Sequence, residues 1–154
     1  IAAVTIDGKD VPVKLRVYES LFVPMAKWSM LLTGNYRCVE GDGVRAIREA
    51  VHSDLDTSTQ MYEWVDALAR QLGADPADQV PFEKYANAAT GLLKPSSVAR
   101  AIDSGVDRIE RVDRLVQMIG RGLGLQNQQL DEIVAIVDAR LATNASFKKV
   151  ANVG

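Results

Sequence analysis

The chain has 154 residues, 47% of them hydrophobic and 25% charged, enough for one core that buries roughly two-thirds of the surface an unfolded chain exposes. Its 18 Lys and Arg are interspersed with 20 Asp and Glu, and a net charge of −2 excludes the strong basic field that gathers nucleic acid or anionic lipid. Cys38 and His52 are each alone of their kind, which excludes an intrachain disulfide and any metal site of the cysteine or HExxH type. No apolar run approaches the ~20 residues that span a bilayer, and the amino end lacks a basic segment followed by an apolar one, so a cytoplasmic location and no membrane partner are expected. Residue 1 is Ile, and the abrupt start at Ile1-Ala2-Ala3-Val4 predicts that a further portion lies upstream.

In chain order, Val4-Thr5-Ile6 and Val11-Pro12-Val13 flank Asp7-Gly8-Lys9-Asp10, and Asp-Gly between β-rich runs predicts a small hairpin over residues 1–14, or the remnant of an upstream domain. From Leu15 helical spacing takes over. Val17, Tyr18, Leu21 and Phe22, then Met25, Trp28, Leu31 and Leu32, predict one helix kinked at Pro24 or two joined there, with a stop at Gly34-Asn35. A short helix is expected over 44–51. The Thr57-x-x-Gln60 box predicts a helix over 58–72 with Met61, Trp64, Val65, Leu68 and Leu72 inward, and Asp75-Pro76 starts another that reaches Leu93. Pro95-Ser96-Ser97 breaks the period. Ser104-x-x-Asp107 then opens a helix whose apolar face is Val106, Ile109, Val112, Leu115, Val116, Ile119 and Leu123, and whose other face pairs Asp107 with Arg111 and Glu110 with Arg114. A last helix runs over 128–141, and residues 144–154 read as a flexible tail. The pattern is mainly α, with one helical domain over 15–143.

Few motifs carry chemistry on their own. Gly120-x-Gly122-x-Gly124 follows a helix, whereas a phosphate-cradling glycine loop follows a strand, so a helix end is the better reading. Asn144-Ala145-Ser146 is a chance glycosylation match, Cys38 a buried small hydrophobe and His52 a surface or capping residue. Two features stand out. Lys27 lies among Met25, Trp28 and Met30, where partial desolvation of its ammonium is expected, and Ser96-Ser97 offers hydroxyls to a carboxylate or to a helix cap.

Three stretches carry a resemblance: Ala26-Lys27-Trp28 through Asn35, Pro95-Ser96-Ser97-Val98 through Gly105, and Arg108-Ile109-Glu110-Arg111 through Gly122-Leu123-Gly124-Leu125. Together they resemble the carboxy-terminal domain of ketopantoate reductases over roughly Val23 to Leu141. The resemblance implies a helical domain of the 6-phosphogluconate-dehydrogenase C-terminal-like type, which binds substrate and dimerises. It implies reduction of a 2-oxo acid with NADPH held by an amino-terminal Rossmann domain that this chain lacks, so no cofactor is expected to bind the chain alone. Lys27 matches the family's proton-donating lysine, Asn35 a substrate-positioning asparagine and Ser97 a serine on the substrate carboxylate, while Glu110 falls at the family aspartate. Leu31, Lys94 and Arg108 depart from the family's Asn, polar and Glu positions, which points to a 2-oxo acid other than ketopantoate. A stand-alone helical interaction or dimerisation module is the alternative expectation, and it requires no catalysis.

Overall fold

The structure is a computed structural model that describes residues 2–6, 8–13 and 17–151. It is mainly helical. Strands β1 (Ala2–Ile6) and β2 (Lys9–Val13) pair antiparallel with Val4 opposite Val11, and Gly8 takes a positive φ of 74°; Asp7 of the expected turn lies outside the described residues.

The helices follow as α1 (Phe22–Met25), α2 (Lys27–Met30), α3 (Ile47–His52), α4 (Leu55–Gln71), α5 (Phe82–Ala89), α6 (Ser97–Asp103), α7 (Val112–Gly122) and α8 (Gln128–Ala151). Val17 and Leu21, expected on an apolar helix face, instead stand in irregular chain at 96% and 85% exposure. Beyond α2 the chain does not stop at Gly34: it continues as a π turn over Leu31–Asn35 and a 3₁₀ turn over Tyr36–Cys38. The cause is a wedge. Tyr85 places its hydroxyl 3.1 Å from the Met30 carbonyl, in space that only a glycine at position 34 leaves open. The helix accommodates it with one extra residue per turn, Tyr36 N–H bonding Leu31 O five positions back.

Helix α4 is capped by Asp54 rather than Thr57: the Asp54 carboxylate accepts both the Thr57 N–H (2.9 Å) and the Thr57 hydroxyl (2.7 Å), leaving no hydroxyl for the expected box. Asp75-Pro76 starts only a 3₁₀ turn, Pro76–Asp78, because Asp75 bonds Ala77 N–H and the chain straightens before α5. Helices α4, α6 and α7 end alike. Gly73, Gly105 and Gly124 take positive φ, and each helix closes with the paired bonds of a Schellman turn, as Gly105 N to Ile102 O and Val106 N to Ala101 O do after α6.

Residues 105–111 are therefore not helical, and the helix expected from Ser104 begins only at Val112. Side chains from elsewhere satisfy that segment's backbone. The Tyr36 hydroxyl donates to Glu110 O (2.6 Å) and accepts from Val112 N–H (3.0 Å), and Asn144 donates to Ile102 O and Val106 O. The expected pairs Asp107–Arg111 and Glu110–Arg114 give way to Lys148–Asp107 and to Arg111 and Arg114 converging on Asp138. Helix α8 is capped by Asn127 and runs through Ala151 rather than ending at Leu141, its last turns tied down by Asn144 and Lys148.

Leu32, Tyr36, Met61, Val65, Leu68, Ile102, Val116, Leu130 and Val137 form the main core. A second cluster joins Val51, Tyr62, Tyr85 and Ala89, with Tyr62 stacked on Tyr85 at 5.6 Å. Leu115 and Leu123, expected inward, are 46% and 44% exposed, since Val112, Val116 and Gly120 are the α7 residues that face the core.

Candidate functional site

The π turn fixes where the candidate residues stand. Lys27 opens α2 with an exposed side chain rather than the partly desolvated one expected among Met25, Trp28 and Met30, and Asn35, half-buried, closes the π turn. Eight residues apart in a regular α-helix, two side chains point roughly 80° apart around the axis. The residue added by the π turn takes up most of that rotation and carries Lys27 and Asn35 toward one face, separated by roughly 12 Å along the axis.

Asn35 is joined to the α6 start by a single bond. Ser96 donates its hydroxyl to Asn35 O at 2.7 Å and accepts Ala99 N–H at 3.1 Å, so it is both the N-cap of α6 and the clasp that holds the two segments together. Ser96 is buried and fully used. Ser97 next to it is exposed, and with Arg100, three residues on along α6, lies on the same helix face.

These segments enclose a concavity of about 520 Å³ lined by Asn35, Ile47, Leu93, Lys94, Ser97 and Arg100 among others, with no acidic side chain in its wall. That volume suits a small-molecule ligand. Ile47, Leu92, Leu93 and Pro95 give it an apolar wall, and Leu92 and Leu93 remain 42% and 61% exposed. The backbone builds this wall, since Ile47 N–H bonds Lys94 O and Arg48 N–H bonds Leu92 O, sewing residues 92–94 to the start of α3.

Of the four residues singled out in the sequence, the structure brings Asn35 and Ser97 into this one concavity. Lys27 stands down the helix from it, outside its lining, and Glu110 lies elsewhere, exposed and tied through its carbonyl rather than its carboxylate to Tyr36. Ile47 and Arg100 were not anticipated; the Ser97-to-Arg100 spacing on one helix was the available signal for Arg100. Neither Lys94 nor Arg100 has a carboxylate within ion-pair distance among the described residues.

Around Asp113 the opposite holds. Its carboxylate is fully buried and takes two parallel bonds from Arg111, Nε to Oδ1 at 2.9 Å and Nη2 to Oδ2 at 2.7 Å, while Arg111 Nη1 reaches Asp138 at 2.6 Å. Burial works against the Arg111 charge, but the bonds to Asp113 and Asp138 outweigh it and raise its affinity for the proton. This cluster is satisfied and closed.

Other reactive groups are committed too. Burial pushes the Cys38 thiol up against the pull of Ser96, and the thiol donates to Gly34 O at 3.3 Å, which leaves little thiolate to act as a nucleophile. A His52 ring nitrogen bonds Ala86 O at 3.0 Å. Burial likewise raises the Tyr36 hydroxyl. Among the described residues no group of three or more His, Cys, Asp and Glu is placed to hold a metal ion, and no helix is long and apolar enough to cross a membrane. Gly120-x-Gly122-x-Gly124 is the Schellman end of α7: Leu125 N–H bonds Gly120 O at 2.8 Å, and a Cβ at position 120 would meet Trp64 at 2.9 Å. It holds a tryptophan, not a pyrophosphate. Compared with known proteins, the chain matches no family model, no curated protein and no solved structure.

Proposed function

We propose that this chain is the helical, substrate-binding half of an NADPH-dependent 2-oxo acid reductase of the ketopantoate-reductase type, with a fold of the 6-phosphogluconate-dehydrogenase C-terminal-like kind. The observation that carries the reading is the convergence of Asn35 and Ser97, far apart in sequence, on one concavity, with Lys27 brought toward the same helix face by the π turn.

Among the described residues Gly120-x-Gly122-x-Gly124 does not fit a dinucleotide, since it is a helix end packed on Trp64. In this reading NADPH belongs to a separate Rossmann domain and supplies the hydride there. What this chain contributes is positioning and charge. Ser97 donates to the substrate carboxylate, and the Asn35 amide orients the 2-oxo group. Reduction of that group builds negative charge on its oxygen, which the Lys27 ammonium stabilises and then neutralises with a proton. Glu110, exposed just before α7 and away from the concavity, has no contact with substrate in this reading.

The protein carrying this chain is to be assayed for NADPH oxidation against a panel of 2-oxo acids. Turnover that requires a 2-oxo acid is the expected result. No turnover with any of them, together with NADPH binding to this chain alone by calorimetry, contradicts the reading.

The second reading, a helical dimerisation module, is favoured by Leu115 and Met118, one turn apart on α7 and 46% and 69% exposed. In that reading the chain carries no catalysis and forms a homodimer, and a strictly monomeric mass by light scattering on the chain contradicts it.

A further inference from the structure

The concavity that holds Asn35 and Ser97 also holds two cations with nothing to neutralise them. Lys94 and Arg100 both line it, both are exposed, no acidic side chain shares the wall, and no carboxylate lies within ion-pair distance of either among the described residues. Elsewhere on the described surface Arg70 pairs with Asp66, Arg121 with Asp131 and Arg140 with Asp103, while Lys27, Arg48, Lys84 and Arg108 have no carboxylate within ion-pair distance either; what sets Lys94 and Arg100 apart is that both line one concavity. Two like charges facing one hollow repel each other until an anion enters between them.

Their placement is ordered. Arg100 shares its helix face with Ser97, three residues before it, so a carboxylate bonded by the Ser97 hydroxyl meets a guanidinium beside it, a planar fork suited to that group. Lys94 belongs to a different segment, the stretch that the Ile47 N–H to Lys94 O bond holds against α3. The same lining includes the apolar side chains Ile47, Leu92, Leu93 and Pro95. A single carboxylate bonded to Ser97 satisfies Arg100 and leaves Lys94 unpaired.

We propose that the concavity selects a dianionic ligand, a 2-oxo acid with a second carboxylate on the far end of a short aliphatic chain. One carboxylate sits on Ser97 and Arg100, the aliphatic stretch lies against Leu92 and Leu93, and the second carboxylate meets Lys94. That the ligand is a 2-oxo acid rests on the proposed function; that it carries two negative charges rests on Lys94, Arg100 and the wall around them.

The test uses NMR amide shifts of the chain titrated with 2-oxoglutarate and with 2-oxovalerate, which has the same five-carbon chain but one carboxylate fewer. Shifts at Asn35, Lys94 and Ser97 with an affinity for 2-oxoglutarate at least tenfold higher are expected, as is loss of that preference in the double variant Lys94→Gln, Arg100→Gln, whose exposed positions leave the fold intact by circular dichroism. Raised salt weakens 2-oxoglutarate more than 2-oxovalerate. Equal affinities at those amides overturn the selection of a dianion and leave the reductase reading standing. Glutarate binding as well as 2-oxoglutarate does the reverse, since nothing then recognises the oxo group. Shifts confined to other parts of the chain, or none with any of the three acids, overturn both.

Discussion

Two polar regions of this protein differ in one respect that separates structure from function. Around Asp113 every charge is answered: Arg111 forks onto Asp113, its remaining amine reaches Asp138, and Arg114 joins on the same carboxylate. Around Asn35 and Ser97 the charges are unanswered, with Lys94 and Arg100 both lacking an acidic partner among the described residues. A buried charge left unpaired is costly, so the first region must be complete for the chain to fold; the second is wet and tolerates its open valences. The closed cluster holds α7 to α8, and the open one is where a ligand has something to complete.

The comparison breaks most visibly at Asp113. Asp113→Ala leaves Arg111 half-buried against a vacated site, and a loss of about 3–5 kcal/mol in urea denaturation is expected. A loss under about 1 kcal/mol contradicts the view that this pair is structural.

The next effect is at the π turn that aligns the open region. A Cβ on residue 34 would lie 1.9 Å from the Tyr85 hydroxyl oxygen, so Gly34→Ala forces the wedge out and destabilises by about 1–3 kcal/mol. Tyr85→Phe in that background removes the offending oxygen, and the double variant recovers part of the loss in a double-mutant cycle; strict additivity contradicts the wedge.

Acid separates the regions a third way. Burial alone would raise the Asp138 carboxyl, but hydrogen bonds from Arg114 and Arg111 outweigh burial and hold it below the ordinary carboxylate range. A folded-state pKa below the unfolded ~3.9 gives stability that is fully present above about pH 4 to 5 and is lost as pH falls through the folded value. Urea midpoints followed downward from neutral pH therefore fall in the acid range, and Asp138→Asn flattens that limb. An unchanged acid limb in the variant shows that other carboxylates govern it.

The smallest effect on stability is expected in the open region. Lys94→Gln and Arg100→Gln each change it by no more than about 0.5 kcal/mol, because neither side chain has a charged partner to lose. A larger loss from either shows a structural role.

The same division explains what the sequence made legible. Periodicity identified Met61, Val65 and Leu68 on α4 as inward, and all are buried, whereas Leu72 at the end of the same stripe is 36% exposed. Local rules found the Ser96 cap as well. Where the reading failed, a distant side chain had replaced a local bond. The helix expected from Ser104 begins only at Val112 because Tyr36, some seventy residues earlier, supplies partners to Glu110 and Val112, and because Gly105 terminates α6 in a left-handed turn. The π turn was illegible for the same reason, since Gly34 reads as a helix stop until Tyr85 is known to sit against it. Asn35 and Ser97 could be named from sequence; for Arg100 the spacing from Ser97 was the only signal, because the absence of a neighbouring acid is a property of the folded surface.

The proposed function gives Lys27 the proton-donating role, and Lys27→Met in the protein that carries this chain tests that proposal most directly. Lys27 is exposed and has no ion-pair partner among the described residues, so the fold is expected to stand. Loss of the proton donor and of the charge on the developing oxyanion lowers turnover of the 2-oxo acid by at least about a hundredfold, with cofactor affinity nearly unchanged. Turnover equal to that of the unaltered protein contradicts the claim and makes Lys27 a surface lysine.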